Sequence, residues 1–152
     1  MRSCELPVVA VRRCAADPAF LKSMASLYRE LDAAIAAHSP VCRNRGDCCR
    51  FERFGHRLFV TAAEVAYFFA GALGSPRTRT VSGLCPYQVA GACTARDRRP
   101  AGCRIFYCDP TQTDWQGPLT EDTLRRLRGI HAGHGMPYAY VEWLTALDAL
   151  PG

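Results

Sequence analysis

"DPAFLKSMASLYRELDAAIAAHSP", residues 17–40, decides how the rest of the chain is read. Asp17 is a natural N-cap, and Pro18 suits the first turn, where a missing N–H leaves no helical bond unmade. Pro40 supplies the stop. Between them Phe20, Met24, Leu27, Leu31 and Ile35 recur at three- and four-residue spacing, so they share one face. This predicts an amphipathic helix over 17–38 with that face in the core.

Outward from this helix the signals are shorter. The residues before Asp17 read as an N-terminal arm. "HRLFV" (56–60) predicts a short strand, and Thr61 with Glu64 forms a capping box for a helix ending near Gly74. "PYQVAGACTAR" (86–96) has the make-up of a tight hairpin turning at Ala90 and Gly91. Towards the C-terminus, "TEDTLRRLRGI" (120–130) predicts a helix capped by Thr120. "PYAYVEWLTALDAL" (137–150) sets Tyr140, Leu144 and Leu147 on a common helical face, so that 119–150 is helical. The expected fold is therefore a small, mainly α single domain over 1–152. Three or four helices, among them the flanking stretches 17–38 and 119–150, surround an irregular cysteine-rich metal-binding segment, 42–109, with a few short strands.

At 152 residues, 49% hydrophobic and 22% charged, the chain can bury a core of its own. No apolar run reaches the roughly 18 residues needed to cross a bilayer. Arg12 and Arg13 break the early apolar patch before a secretory signal develops, so a cytoplasmic protein without membrane contact is expected. In that reducing compartment nine cysteines point to metal or redox chemistry rather than to a disulfide framework.

The cysteines are not evenly spread. "CRNRGDCC" (42–49) holds Cys42, Cys48 and Cys49, and "LCPYQVAGACTARDRRPAGCRIFYCDP" (84–110) holds Cys85, Cys93, Cys103 and Cys108. Cys4 and Cys14 stand apart. Thiolates are preferred ligands of zinc and of iron–sulfur centres, and closure around one centre draws them from several loops. Buried apolar cysteines would account for one or two such residues, not for seven in two clusters. The seven are thus the candidate metal ligands. Adjacent residues project apart, so Cys48 and Cys49 serve two centres or leave one thiol spare.

In this order the motifs resemble the YkgJ-type cysteine-cluster family, described as a zinc- or iron-chelating domain. The resemblance covers about 42–108 and rests on Cys42, Gly46, Cys48, Cys49, Cys85-Pro86, Cys93, Arg99-Pro100, Cys103-Arg104, Phe106 and Cys108. It implies that these cysteines hold the metal. Where the family usually has a further cysteine this chain has Arg45, so eight thiolates become seven. A site is then lost, completed by water or histidine, or merged into a single centre.

Arginine surrounds the thiols. Arg43, Arg45, Arg50, Arg53 and Arg57 face only Asp47 and Glu52 nearby in sequence, and Arg96, Arg98, Arg99 and Arg104 face only Asp97. Guanidinium groups offset the negative charge of a multi-thiolate centre and donate hydrogen bonds to sulfur, a role expected above all of Arg45, Arg99 and Arg104. The alternative is a phosphate-binding patch on a zinc-stabilised nucleic-acid-binding module. A formal charge of only +5 and the lack of finger-type spacing argue against nucleic acid as a partner. Among the histidines, His56 is the nearest replacement ligand, and His131 with His134 offers two imidazoles at helical spacing, a pattern also common at helix ends. No P-loop, dinucleotide fingerprint or G-x-S-x-G appears, so no ordinary hydrolase or nucleotide chemistry is visible. Two classes remain: a protein that binds iron or zinc without a reaction of its own, and an iron–sulfur component of a redox or modification enzyme acting with a protein partner. Cys85-Pro86, a pairing found in ferredoxin-type runs, tilts the choice towards iron.

Overall fold

The computed structural model describes residues 5–38, 59–71, 88–89, 92–93, 98–105 and 114–149. Within them the protein is mainly helical, with six helices and two small two-stranded sheets. The long helix of the sequence pattern is α2, Pro18–Ala36, and Asp17 accepts a hydrogen bond from the Ala19 N–H at its start. Phe20, Met24, Leu27, Leu31 and Ile35 are all buried, as their spacing requires, and Tyr28 joins them.

The expected N-terminal arm is instead a helix, α1, Val8–Ala15. It has no side-chain cap, and its valines are weak helix formers. Tertiary burial overrides both deficits: Val11 and Cys14, three apart, enter the core, and the Arg12 guanidinium lies 5.5 Å from the Phe69 ring centroid.

A strand that turns directly into a helix occurs twice. The first is β1, Phe59–Thr61, leading into α3, Ala62–Ala70. The Thr61–Glu64 capping box is present, while the helix stops at Gly71, earlier than the expected Gly74. The second is β4, Tyr140–Glu142, leading into α6, Trp143–Asp148, with Glu142 as N-cap accepting from the N–H groups of Leu144 and Thr145. Tyr140 therefore sits on a strand, not on the helical face expected for it. The two strands pair antiparallel, Phe59 opposite Glu142 and Thr61 opposite Tyr140, and α3 and α6, leaving from opposite ends of this ladder, touch through one aromatic pair. There Phe68 meets Trp143 edge to face at 4.8 Å.

Helix α5, Gln116–Gly133, begins one turn before the expected cap. Thr120 is inside it, its hydroxyl donating to the Gln116 carbonyl at 2.8 Å. The helix ends in a Schellman arrangement, Met136 N–H to His131 O and Gly135 N–H to Ala132 O, which needs the left-handed Gly135, φ +66°. Arg13 of α1 reaches across to the carbonyls of His134 and Gly135, at 3.3 and 3.0 Å. The remaining elements lie in the cysteine-rich stretch: the hairpin strands β2, Gln88–Val89, and β3, Ala92–Cys93, and the short helix α4, Ala101–Ile105. The strands pair antiparallel, Gln88 opposite Cys93 and Val89 opposite Ala92, as expected of a hairpin, while the expected turn residues Ala90 and Gly91 lie outside the described residues.

Candidate metal centre

Cys42, Cys48, Cys49, Cys85 and Cys108 lie outside the described residues, as do His56, Arg45 and the other arginines of the first cluster. Cys93 is placed by its backbone on β3. Cys103, on α4, is the one expected ligand whose side chain is described: it is buried and in no disulfide. Cys14 is buried among apolar side chains on α1, far in sequence from either cluster. Among the described residues no group of three or more His, Cys, Asp or Glu side chains is gathered as a metal cage.

What the structure does define is the mount that carries Cys103. Helix α4 follows the buried Pro100, whose carbonyl accepts from the N–H groups of Cys103 and Arg104 at 3.0 and 3.2 Å. A five-residue helix has little cohesion of its own, so it depends on its neighbours. Its first free N–H, on Ala101, donates to Glu64 Oε2 at 2.7 Å, while Glu64 Oε1 accepts from the Thr61 N–H and hydroxyl at 3.1 and 3.0 Å. One carboxylate thus caps two helices, α3 and α4. Burial raises the Glu64 pKa, and the bonds from Thr61 and Ala101 and the charge of Arg104 act against that rise.

Arg104 forms the second tie. Its Nη1 meets both carboxylate oxygens of Asp32 on α2, at 3.0 and 2.8 Å, its Nε donates to the Arg99 carbonyl at 2.8 Å, and its guanidinium covers the Tyr28 ring at 4.0 Å. The pairing stacks cation on ring and fixes α4 against α2. Arg99 in turn donates to the Cys103 carbonyl at 3.2 Å. Arg98 supplies a third tie, donating to the Tyr67 carbonyl at 3.1 Å with its guanidinium 4.2 Å from the Tyr67 ring centroid. Gly71 makes room for it, since a Cβ there would lie 2.5 Å from Arg98 Nε. The "RRP" and "CR" pieces of the motif therefore hold α4 on the scaffold, a use of Arg99 and Arg104 that a reading confined to charge near sulfur passes over. Proximity of Asp32 and Tyr28, more than 70 residues away in sequence from Arg104, leaves no local signal.

His131 and His134 diverge. His131 is buried, donating from Nδ1 to the Leu127 carbonyl at 2.7 Å and accepting at Nε2 from the Ala63 N–H at 3.1 Å. Both ring nitrogens are occupied, so the imidazole serves as a remote cap for α3. Burial lowers its pKa. His134 packs edge to face on Phe20 and lies 3.3 Å from the Ser23 hydroxyl. Their shared spacing reflects the C-terminal turn of α5, not a ligand pair. No family model, curated protein or solved structure matched the chain.

Proposed function

We propose that this is a cysteine-cluster metal-binding protein that holds iron, as an iron–sulfur cluster, or zinc. Its ligands are drawn from Cys42, Cys48, Cys49, Cys85, Cys93, Cys103 and Cys108. One observation carries the reading: seven of nine cysteines fall between positions 42 and 108, in two clusters. A scattered set of core thiols would not collect in this way. The threefold anchoring of α4 supports it, because a metal ligand is effective when its backbone is held rigidly before the metal arrives. The arginines at positions 43–57 and 96–99 supply positive charge beside thiolates that lose their protons on binding.

Anaerobic purification followed by metal and acid-labile sulfide analysis tests this. About one or two metal centres per chain are expected. Visible charge-transfer absorption with sulfide identifies an iron–sulfur cluster, and a colourless protein identifies zinc. Metal content near zero overturns the proposal. Cys103→Ser lowers the metal content, because a hydroxyl is a poor ligand for soft metals, whereas Cys14→Ala leaves it unchanged. Equal losses from the two variants would contradict the ligand assignment.

A further inference from the structure

Where the first turns of α2 meet the end of α5, three side chains from distant parts of the sequence come together. The Ser23 hydroxyl lies 3.3 Å from His134 Nε2, and His134 Nδ1 lies 3.9 Å from Asp17 Oδ2. A hydroxyl, an imidazole and a carboxylate are thus set in series. The imidazole is held in place: its ring packs edge to face on Phe20 at 5.5 Å, the His134 carbonyl accepts from Arg13, and the side chain is only 18% exposed. Asp17 is fixed as well, because its Oδ1 accepts from the Ala19 N–H at 3.0 Å while Oδ2 faces the ring.

Ser23 also lines a surface pocket of about 440 Å³ between the two helices, together with Lys22, Leu27, Arg126 and Ile130. Arg126 is paired with Glu30 at 2.9 Å, whereas Lys22 makes no ion pair or hydrogen bond among the described residues. We infer that this pocket is a further functional site, one that hydrolyses small carboxylic esters, with Ser23 as nucleophile, His134 as general base and Lys22 as the cation that meets the carbonyl oxygen as it gains charge. Such a constellation is defined by geometry and not by order in the sequence, so it needs no nucleophile motif. Asp17 is a positioning residue, since its charge favours the tautomer with the proton on Nδ1 and stabilises the imidazolium that forms. Nε2 is then free to accept. The Ser23 hydroxyl, which donates to the Ala19 carbonyl at 3.2 Å, turns its proton to Nε2 as Oγ bonds to the acyl carbon. The ester C–O bond breaks as the leaving oxygen takes that proton, and the acyl group stays on Ser23. Water, giving a proton to Nε2, then attacks the acyl carbon, and the carboxylic acid leaves as that proton returns to Oγ. None of these steps draws on the cysteine cluster, so the inference does not rest on the metal-binding reading.

The full chain is assayed with 4-nitrophenyl acetate and, separately, treated with a fluorophosphonate whose adduct is located by peptide mass spectrometry. Wild type is expected to turn over the ester and to carry the adduct on Ser23. Alanine is the best helix former, so Ser23→Ala keeps α2 intact, which circular dichroism checks. That variant should lose the adduct and lower kcat by about a hundredfold or more, as should His134→Gln. Asp17→Asn retains the N-cap, since Asn caps as well as Asp. Its kcat should fall about tenfold with KM unchanged, the worth of a unit charge at this distance in a half-solvated site, and Lys22→Ala should show the same split. Turnover by wild type no faster than in buffer, or an adduct on another residue, overturns the inference. Hydrolysis that survives Ser23→Ala overturns it too, marking serine and histidine as a purely structural tie and assigning the reaction to a cysteine thiolate.

Discussion

His131 joins two helices through one neutral ring. With Nδ1 committed to the Leu127 carbonyl, Nε2 must be the acceptor for the Ala63 N–H, and a second proton would set two donors against each other. Desolvation by burial lowers its pKa below the ordinary 6.5. The unfolded chain therefore binds this proton more readily than the folded one. The stability contributed by the neutral ring is complete above the unfolded value and is lost as pH falls through the folded value. Urea unfolding at pH 7.5 and 5.5 should show lower stability at the acid pH. His131→Ala should cost about 2 kcal/mol at pH 7.5, by leaving the Ala63 N–H unsatisfied and opening a small cavity, and should reduce the acid-side loss. An unchanged pH slope in the variant would assign the effect to another group. Sequence alone shows two histidines three apart but gives no sign of a partner 68 residues upstream. By contrast, the Thr61–Glu64 capping box is legible because both members lie within one turn. The second use of Glu64, as a cap for α4, lies 37 residues away and is not.

At the scale of elements, long amphipathic helices are readable and short ones are not. The 19 residues of α2 repeat their apolar spacing over five turns, which leaves no competing assignment. The five residues of α4 complete little more than one turn, and their helix exists because Glu64 and Arg104 hold it. Glu64→Ala therefore releases α4 and the start of α3 together. A loss of about 3 kcal/mol is expected, with the largest gain in amide exchange at Ala101 and its neighbours and little change across α2. Asp32→Asn weakens only the Arg104 tie, and Asp32 is 52% exposed, so its cost should be under about 1 kcal/mol. Equal exchange throughout the protein in Glu64→Ala would show that α4 is not a separable unit. The C-terminal stretch misleads in another way. The helical period seen across Tyr140, Leu144 and Leu147 spans a junction, because β4 ends at Glu142 and α6 starts at once. The informative feature there is an acidic cap, Glu142, whose carboxylate accepts from the Thr145 N–H and hydroxyl.

At the scale of the molecule, the apolar core of the described residues is assembled from α1, α2, α3, α5 and α6 around Phe20, Met24, Val65, Leu127 and Trp143. None of these needs a metal. If the proposed metal is bound, removing it with a chelator under reducing conditions should therefore leave most of the helical circular dichroism in place. A metal held about a thousandfold above its dissociation constant adds ~4 kcal/mol, so stripping it should lower the thermal midpoint by about 10 °C. Complete loss of the helical signal would show that the core is not self-sufficient. The clasp from Arg13 to the end of α5 has a further, kinetic consequence. It joins residues 121 positions apart, so it closes a loop whose entropic cost is about 4 kcal/mol by the logarithmic law. Thiolates gathered on one ion between positions 42 and 108 would shorten that loop to about 55 residues and lower the cost by ~0.7 kcal/mol. Closure would then be about threefold faster, making the ion an accelerator of chain closure as well as a ligand of the finished fold.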